Sequence, residues 1–305
     1  MLNINKTYIN KDTQLIIMVL ESLIGPVKAE KKFWELFFFG VLYSSIAVIL
    51  ALWIFKDQSS LIVVFLTVLA TVPLMYKTIK FEEKKDLRIK DEVSLLKAHS
   101  RALAFFMFLF MGITIAFSLW YTFLPEELVN TLFSTQVKTI ESINAQILRT
   151  EISASATIYQ DFYMQILSNN FKVLLFSIFF SFFYGAGAIF ILTWNASVIA
   201  SAIGIFIRKN LSELATSFGL ANVASYFQLF SIGTLRYMTH GTFEILAYFI
   251  GGLAGGLISV AIIKHNIESK EFRHVLIDSI DLTLLAVAIL VIAAFVEVYI
   301  TPTLF

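Results

Sequence analysis

THGTFEILAYFIGGLAGGLISVAII, residues 239–263, decides the fold. The run is apolar and long enough to cross a bilayer, for which a helix needs ~20 residues. It opens on two ionisable groups, His240 and Glu244, four positions apart. On a helix such a pair shares one face, with Cβ atoms roughly 5–6 Å apart. An ionised carboxylate inside a bilayer costs several kcal/mol unless it is paired, neutral or wet. What compensates Glu244 is the question that the rest of the chain has to answer.

The whole composition agrees with a membrane chain. It is 58% hydrophobic and 15% charged, with a mean hydropathy of +0.80, where a soluble domain averages about 25% charged residues. The fold class is all-α, a polytopic helical protein of a cell membrane, with the lipid bilayer as its first partner. A net charge of +1 gives no electrostatic case for nucleic acid. The chain has no cysteine, which removes disulfides, thiolate nucleophiles and cysteine-held metals together. His99, His240, His265 and His274 are too scattered for a standard zinc motif.

Working outward, residues 1–32 hold a short apolar run, Leu15–Leu20, flanked by Asp12, Glu21 and Lys28. It is too short to span and reads as an interfacial amphipathic segment. Residues 33–101 read as a helical hairpin followed by a charged cytoplasmic helix. Phe33–Phe55 is its first span, Ser59–Tyr76 its second, and Lys77–Arg101 its surface helix with acid and base at helical spacing. Residues 102–305 form a membrane domain. Within it, Ala102–Leu124 is a span, and residues 125–168 are an outer helical segment. Phe133, Val137, Ile140, Asn144, Ile147, Glu151, Ala154 and Ile158 make an imperfect heptad seam there.

Charge sets the topology. Lys77–Arg101 carries eight basic residues and Pro125–Ser168 only Lys138 and Arg149. The positive-inside rule places the first segment and the N-terminus in the cytoplasm. The last span, Leu282–Ile300, then leaves the C-terminus outside. Lys172–Trp194 is the fourth span. The next apolar piece, Ala196–Ile207, is too short to cross, so Asn195–Ile207 is expected to be a re-entrant or broken helix. With it the chain has six or seven spans.

In this topology Glu297, one turn from the end of the last span, reaches the depth of His240 and Glu244. Three readings of the cluster stand side by side. It is a buried polar clasp between helices, a proton or cation site, or a divalent-metal site, since imidazole and carboxylate suit several metals. Arg236 is a candidate charge partner for either acid. Gly251, Gly252, Gly255 and Gly256 form two overlapping small-x-x-x-small patterns that let another helix approach closely, inside the fold or across a dimer. No His-Glu-x-x-His, Gly-x-Ser-x-Gly or P-loop occurs. No catalytic residue and no cofactor is therefore assigned, and no enzyme is expected.

His240-Gly241-x-x-Glu244 ahead of an Ala/Gly-rich helix resembles the signature of the stage II sporulation protein M family of integral membrane proteins. Other positions agree: Asn169-Asn170 before a span, Gly185 and Gly187 within it, Asn195 after it, and the ending Ala294-x-x-Glu297-x-x-x-Thr301-Pro302. Thr239 stands where the family has Pro, and Ala196 where it has Gly. The resemblance covers about residues 100–305, and the added N-terminal hairpin is similar to longer archaeal members. It implies a membrane scaffold, since the family's namesake sits with two cell-wall hydrolases during engulfment of the forespore. Wall hydrolysis itself is not carried over. The expected function is a scaffold, a homo-oligomer that assembles protein partners through residues 125–168 or 77–101. The alternative is a proton- or cation-coupled transporter or channel built on His240, Glu244 and Glu297.

Overall fold

A computed structural model describes residues 34–89, 92–152, 158–184, 187–213 and 220–304 of the chain. The interfacial segment 1–32 lies outside them. Ten α-helices and no strand occur among the described residues. They are α1 (Glu35–Ile54), α2 (Ser59–Asp86), α3 (Glu92–Phe123), α4 (Glu126–Leu132), α5 (Ser134–Ile152), α6 (Ile158–Tyr184), α7 (Ala188–Glu213), α8 (Leu220–Lys264), α9 (Lys270–Phe295) and α10 (Thr301–Leu304). Seven of the described helices, α1 to α3 and α6 to α9, are long and apolar enough to cross a membrane.

The re-entrant element is therefore corrected. Residues 195–207 lie inside one uninterrupted helix, α7, which at ~1.5 Å per residue is roughly 39 Å long. The expected fourth span, Lys172–Trp194, contains a turn. Tyr184 ends α6 and Ala188 begins α7, so Gly187 belongs to the connection and Gly185 lies outside the described residues. Asn195 does not break the helix because its side-chain amide donates 2.8 Å back to the Ile191 carbonyl. Residues 222–237 are likewise part of one helix, α8.

Burial ranks the helices. The most apolar stretch of α8 is 83% buried and that of α3 67%, against 22% for α6 and 28% for α1. Residues 239–263 thus belong to the central helix. Phe249 of α8 stacks on Phe106 at 5.4 Å and meets Phe110 edge-on, both from α3. Between α6 and α8 a Cβ on Gly255 would collide with the Ile178 carbonyl, and one on Gly251 with the Leu174 side chain. Gly252 faces Ala188, and Gly256 is buried. The glycine strip packs within the chain.

At 45 residues α8 is roughly 67 Å long, twice a bilayer's apolar core. In its first third Tyr226 stacks on Phe123 at the end of α3.

The charged segment is also corrected. Lys77–Asp86 continues α2 and residues 92–101 begin α3, so among the described residues these charges extend two spans and form no separate surface helix. Several of its charges are buried, namely Glu82, Glu83, Asp86 and His99. They persist because most are paired, as buried charges must be. Lys85 and His99 meet Glu82 at 2.7 and 2.8 Å, and Lys264 and His265 meet Glu83 at 2.6 and 2.9 Å.

On the opposite face, α4 and the start of α5 pack onto the bundle through Val129, Leu132 and Phe133. Gln136 donates 3.0 Å to the Ser60 carbonyl and 3.3 Å to the Ser197 hydroxyl, joining α5 to α2 and α7. The seam's first residues thus face their own membrane domain. Asn144, Ile147, Glu151, Ala154 and Ile158 lie outside the described side chains.

Candidate functional site: a polar cavity between α6, α7 and α8

α8 carries Arg236, His240, Glu244 and Tyr248 at intervals of four, which puts them in one stripe along its axis. α6 presents Asn169 and Asn170 to that stripe, and α7 presents Asn195. Glu297 comes from the end of α9. There the helix widens into a π-turn, Val296–Ile300, before α10. Pro302 accounts for the widening. It has no N–H for the Val298 carbonyl, and its ring would clash with that carbonyl in a regular helix. The Thr301 N–H bonds to the Val296 carbonyl instead, and its hydroxyl donates to the same oxygen at 3.1 Å. Single π-turns recur at functional sites, and this one aims Glu297 at α8.

These groups enclose a cavity of about 720 Å³. It is lined by Asn169, Asn170, Asn195, Arg236, His240, Glu244, Glu297, Thr301 and Pro302, all named from the sequence. Gly241 does not line it, and neither do Gly187 or the packing glycines. Sequence reading missed Gln165, Tyr237 and Tyr248, which also line it. Tyr248 was legible, as the next residue in the spacing of four. The apolar walls are Ile140 and Ile143 of α5, Ile166 and Val173 of α6, and Val198 and Ile199 of α7.

Inside the cavity the acids are not closed off by bases. Glu244 accepts a hydrogen bond from the Asn170 side-chain amide. Its carboxyl and that of Glu297 lie within hydrogen-bonding reach of each other. His240 Nε2 is 3.9 Å from Glu297 Oε1, beyond a hydrogen bond, while Nδ1 is 3.3 Å from the Thr301 hydroxyl. Arg236 forms no ion pair among the described residues. Two adjacent carboxyls repel when both are ionised, and a proton or a bound cation between them removes that repulsion. Such a pair can take up a proton or a bound cation. Among the described residues no group of three or more His, Asp or Glu converges in a way that would hold a metal ion.

Fold and site together define a polytopic all-α membrane protein with a polar cavity between its helices. Residues 102–302 match the stage II sporulation protein M family, and the chain belongs to that family. The match contains the whole cavity and leaves out α1 and α2. An uncharacterised protein of Methanocaldococcus jannaschii is similar, 33% identical over 140 residues that are 45% of this chain and 69% of its own length. No solved structure matches the chain.

Proposed function

We propose that this protein binds a small cation-bearing solute in the cavity and carries it into or across the membrane, without catalysing a covalent reaction. The supporting observation is the facing pair Glu244 and Glu297 at the wall of a 720 Å³ space, with the nearest base, His240, 3.9 Å from Glu297. A clasp would place a base against the acids and leave no room. Ligand pockets span about 300–1,000 Å³, so the volume suits one small molecule. Transporters commonly hold substrate between helices where a helix departs from regular geometry, as α9 does at its π-turn. The charge count of the loops supports a cavity nearer the outer surface, an N-terminus in the cytoplasm and a C-terminus outside.

Titration of the purified protein in lipid nanodiscs with hexylamine tests this. Saturable binding that falls at least tenfold in both Glu244→Gln and Glu297→Gln is the expected result. No saturable binding of hexylamine to the wild type, or binding unchanged in both variants, removes the proposal.

A second reading is a homo-oligomeric scaffold that assembles protein partners at the membrane through residues 125–168 or 77–101. Membership of the family supports it, and so does the exposed side of α5 at Lys138, Glu141 and Ser142. It makes no use of the cavity. Exchange of those three residues for alanine, followed by co-purification of partners from native membranes, separates it from solute binding. The scaffold loses its partners and the solute binder keeps its ligand.

A further inference from the structure

Resting on the solute-binding reading above, the geometry points to a linear zwitterion as the ligand, its cationic end against Glu244 and Glu297 and its anionic end at Arg236. Arg236 and Glu244 both line the cavity and are eight residues apart on α8. At ~1.5 Å per residue that is about 12 Å along the helix. Tyr248 extends the lined length to roughly 18 Å. A volume of 720 Å³ spread over that length gives a slot about 40 Å² in section. An extended peptide with its side chains in a packed sheet occupies about 4.8 by 10 Å, slightly more than that section, so at most one extended chain with small spread is accommodated.

The two charges do not neutralise each other. Glu244 is held by Asn170, an uncharged donor, and Arg236 makes no ion pair among the described residues. Glu244 and the exposed Arg236, opposite charges about 12 Å apart along α8, each lack an ion-pair partner among the described residues. A ligand with a cation and an anion at matching separation compensates both at once. A cation alone satisfies the acids and leaves the guanidinium as it was. Asn169 and Asn195, also in the lining, offer amide donors and acceptors to a polar backbone, while Ile166 and Val198 offer apolar wall to side chains. Extended chains cover ~3.3–3.6 Å per residue. With side chains reaching inward from both ends, two to three residues match the spacing.

The test uses wild-type protein in nanodiscs and three probes: trileucine with free termini, N-acetyl-trileucine and trileucine amide. Calorimetry is expected to show free trileucine binding at least tenfold tighter than either blocked form. In Arg236→Gln the free peptide and the amide should bind alike, and in Glu244→Gln the free and acetylated peptides should. Equal wild-type affinity for trileucine and its amide overturns the zwitterion and leaves a cation-binding cavity standing. Absence of binding by all three probes and by hexylamine overturns both. The decisive comparison is made on the wild type, so a variant that fails to fold does not obscure it.

Discussion

Lys264 Nζ lies 2.6 Å from Glu83 Oε2, so the last residue of α8 is fastened to α2 across the bundle. Glu83 is 1% exposed and takes His265 on its other oxygen at 2.9 Å. Removing this acid leaves two basic groups facing each other with no counter-charge. Breaking a buried pair from one side costs about 3 kcal/mol or more. Glu83→Ala is therefore expected to lower the Tm in nanodiscs clearly, and Glu83→Gln by less, because it keeps an acceptor. Equal melting of Glu83→Ala and wild type would show that the pair is solvated and idle.

The glycines separate into packing and non-packing positions. A side chain at Gly255 meets the Ile178 carbonyl, a backbone atom that no rotamer change can move. Gly255→Leu should destabilise by about 3 kcal/mol or prevent folding, at the upper end of overpacking costs. At Gly241 nothing lies within 4 Å of an added Cβ. Gly241→Ala should stabilise by about 0.5–1 kcal/mol through helix propensity alone. Thermal melts of the two variants check both signs.

Gln136 ties α5 to two membrane helices, and it is fully buried. Gln136→Leu removes both hydrogen bonds, while the Ser60 carbonyl keeps its place in the helical ladder of α2. A loss of about 1–2 kcal/mol follows from the two hydrogen bonds removed. Because α5 also walls the cavity through Ile140, hydrogen exchange should rise over α4 and α5, and hexylamine affinity should fall with it. Exchange confined to other helices would remove the structural role given to this side chain.

Orientation is testable with unusual ease, because the chain has no cysteine of its own. Glu127, in α4, is exposed beside Lys56, and Glu268 is in the turn between α8 and α9, which the charge count places on the other side of the membrane. A membrane-impermeant maleimide added to intact cells should label Glu127→Cys and spare Glu268→Cys until the cells are opened. The reverse pattern inverts the topology and moves the cavity to the cytoplasmic side.

Much of the site was legible before the structure. His240, Glu244 and Glu297 stand out because ionisable residues in apolar runs are costly, and charge counting brings them to one depth. The path of residues 195–207 was not legible. A polar Asn195 in a short apolar run reads as a break, and only the bond from its amide to Ile191 shows that the helix satisfies it locally. The burial of Glu82, Glu83 and Asp86 was hidden for a related reason. Acid and base at helical spacing look the same whether water or other helices surround them.

The sequence by itself determined that this is an all-α membrane protein, how it divides between apolar spans and charged ends, and which acids had to be explained. Those properties follow from transfer energies and helical period, which are local. Only the tertiary structure decided that Asn170 rather than His240 holds Glu244, that the π-turn at Glu297 faces α8, and that the space between them is open. Ångström distances between side chains on different helices depend on how those helices pack, and packing is a property of the whole bundle.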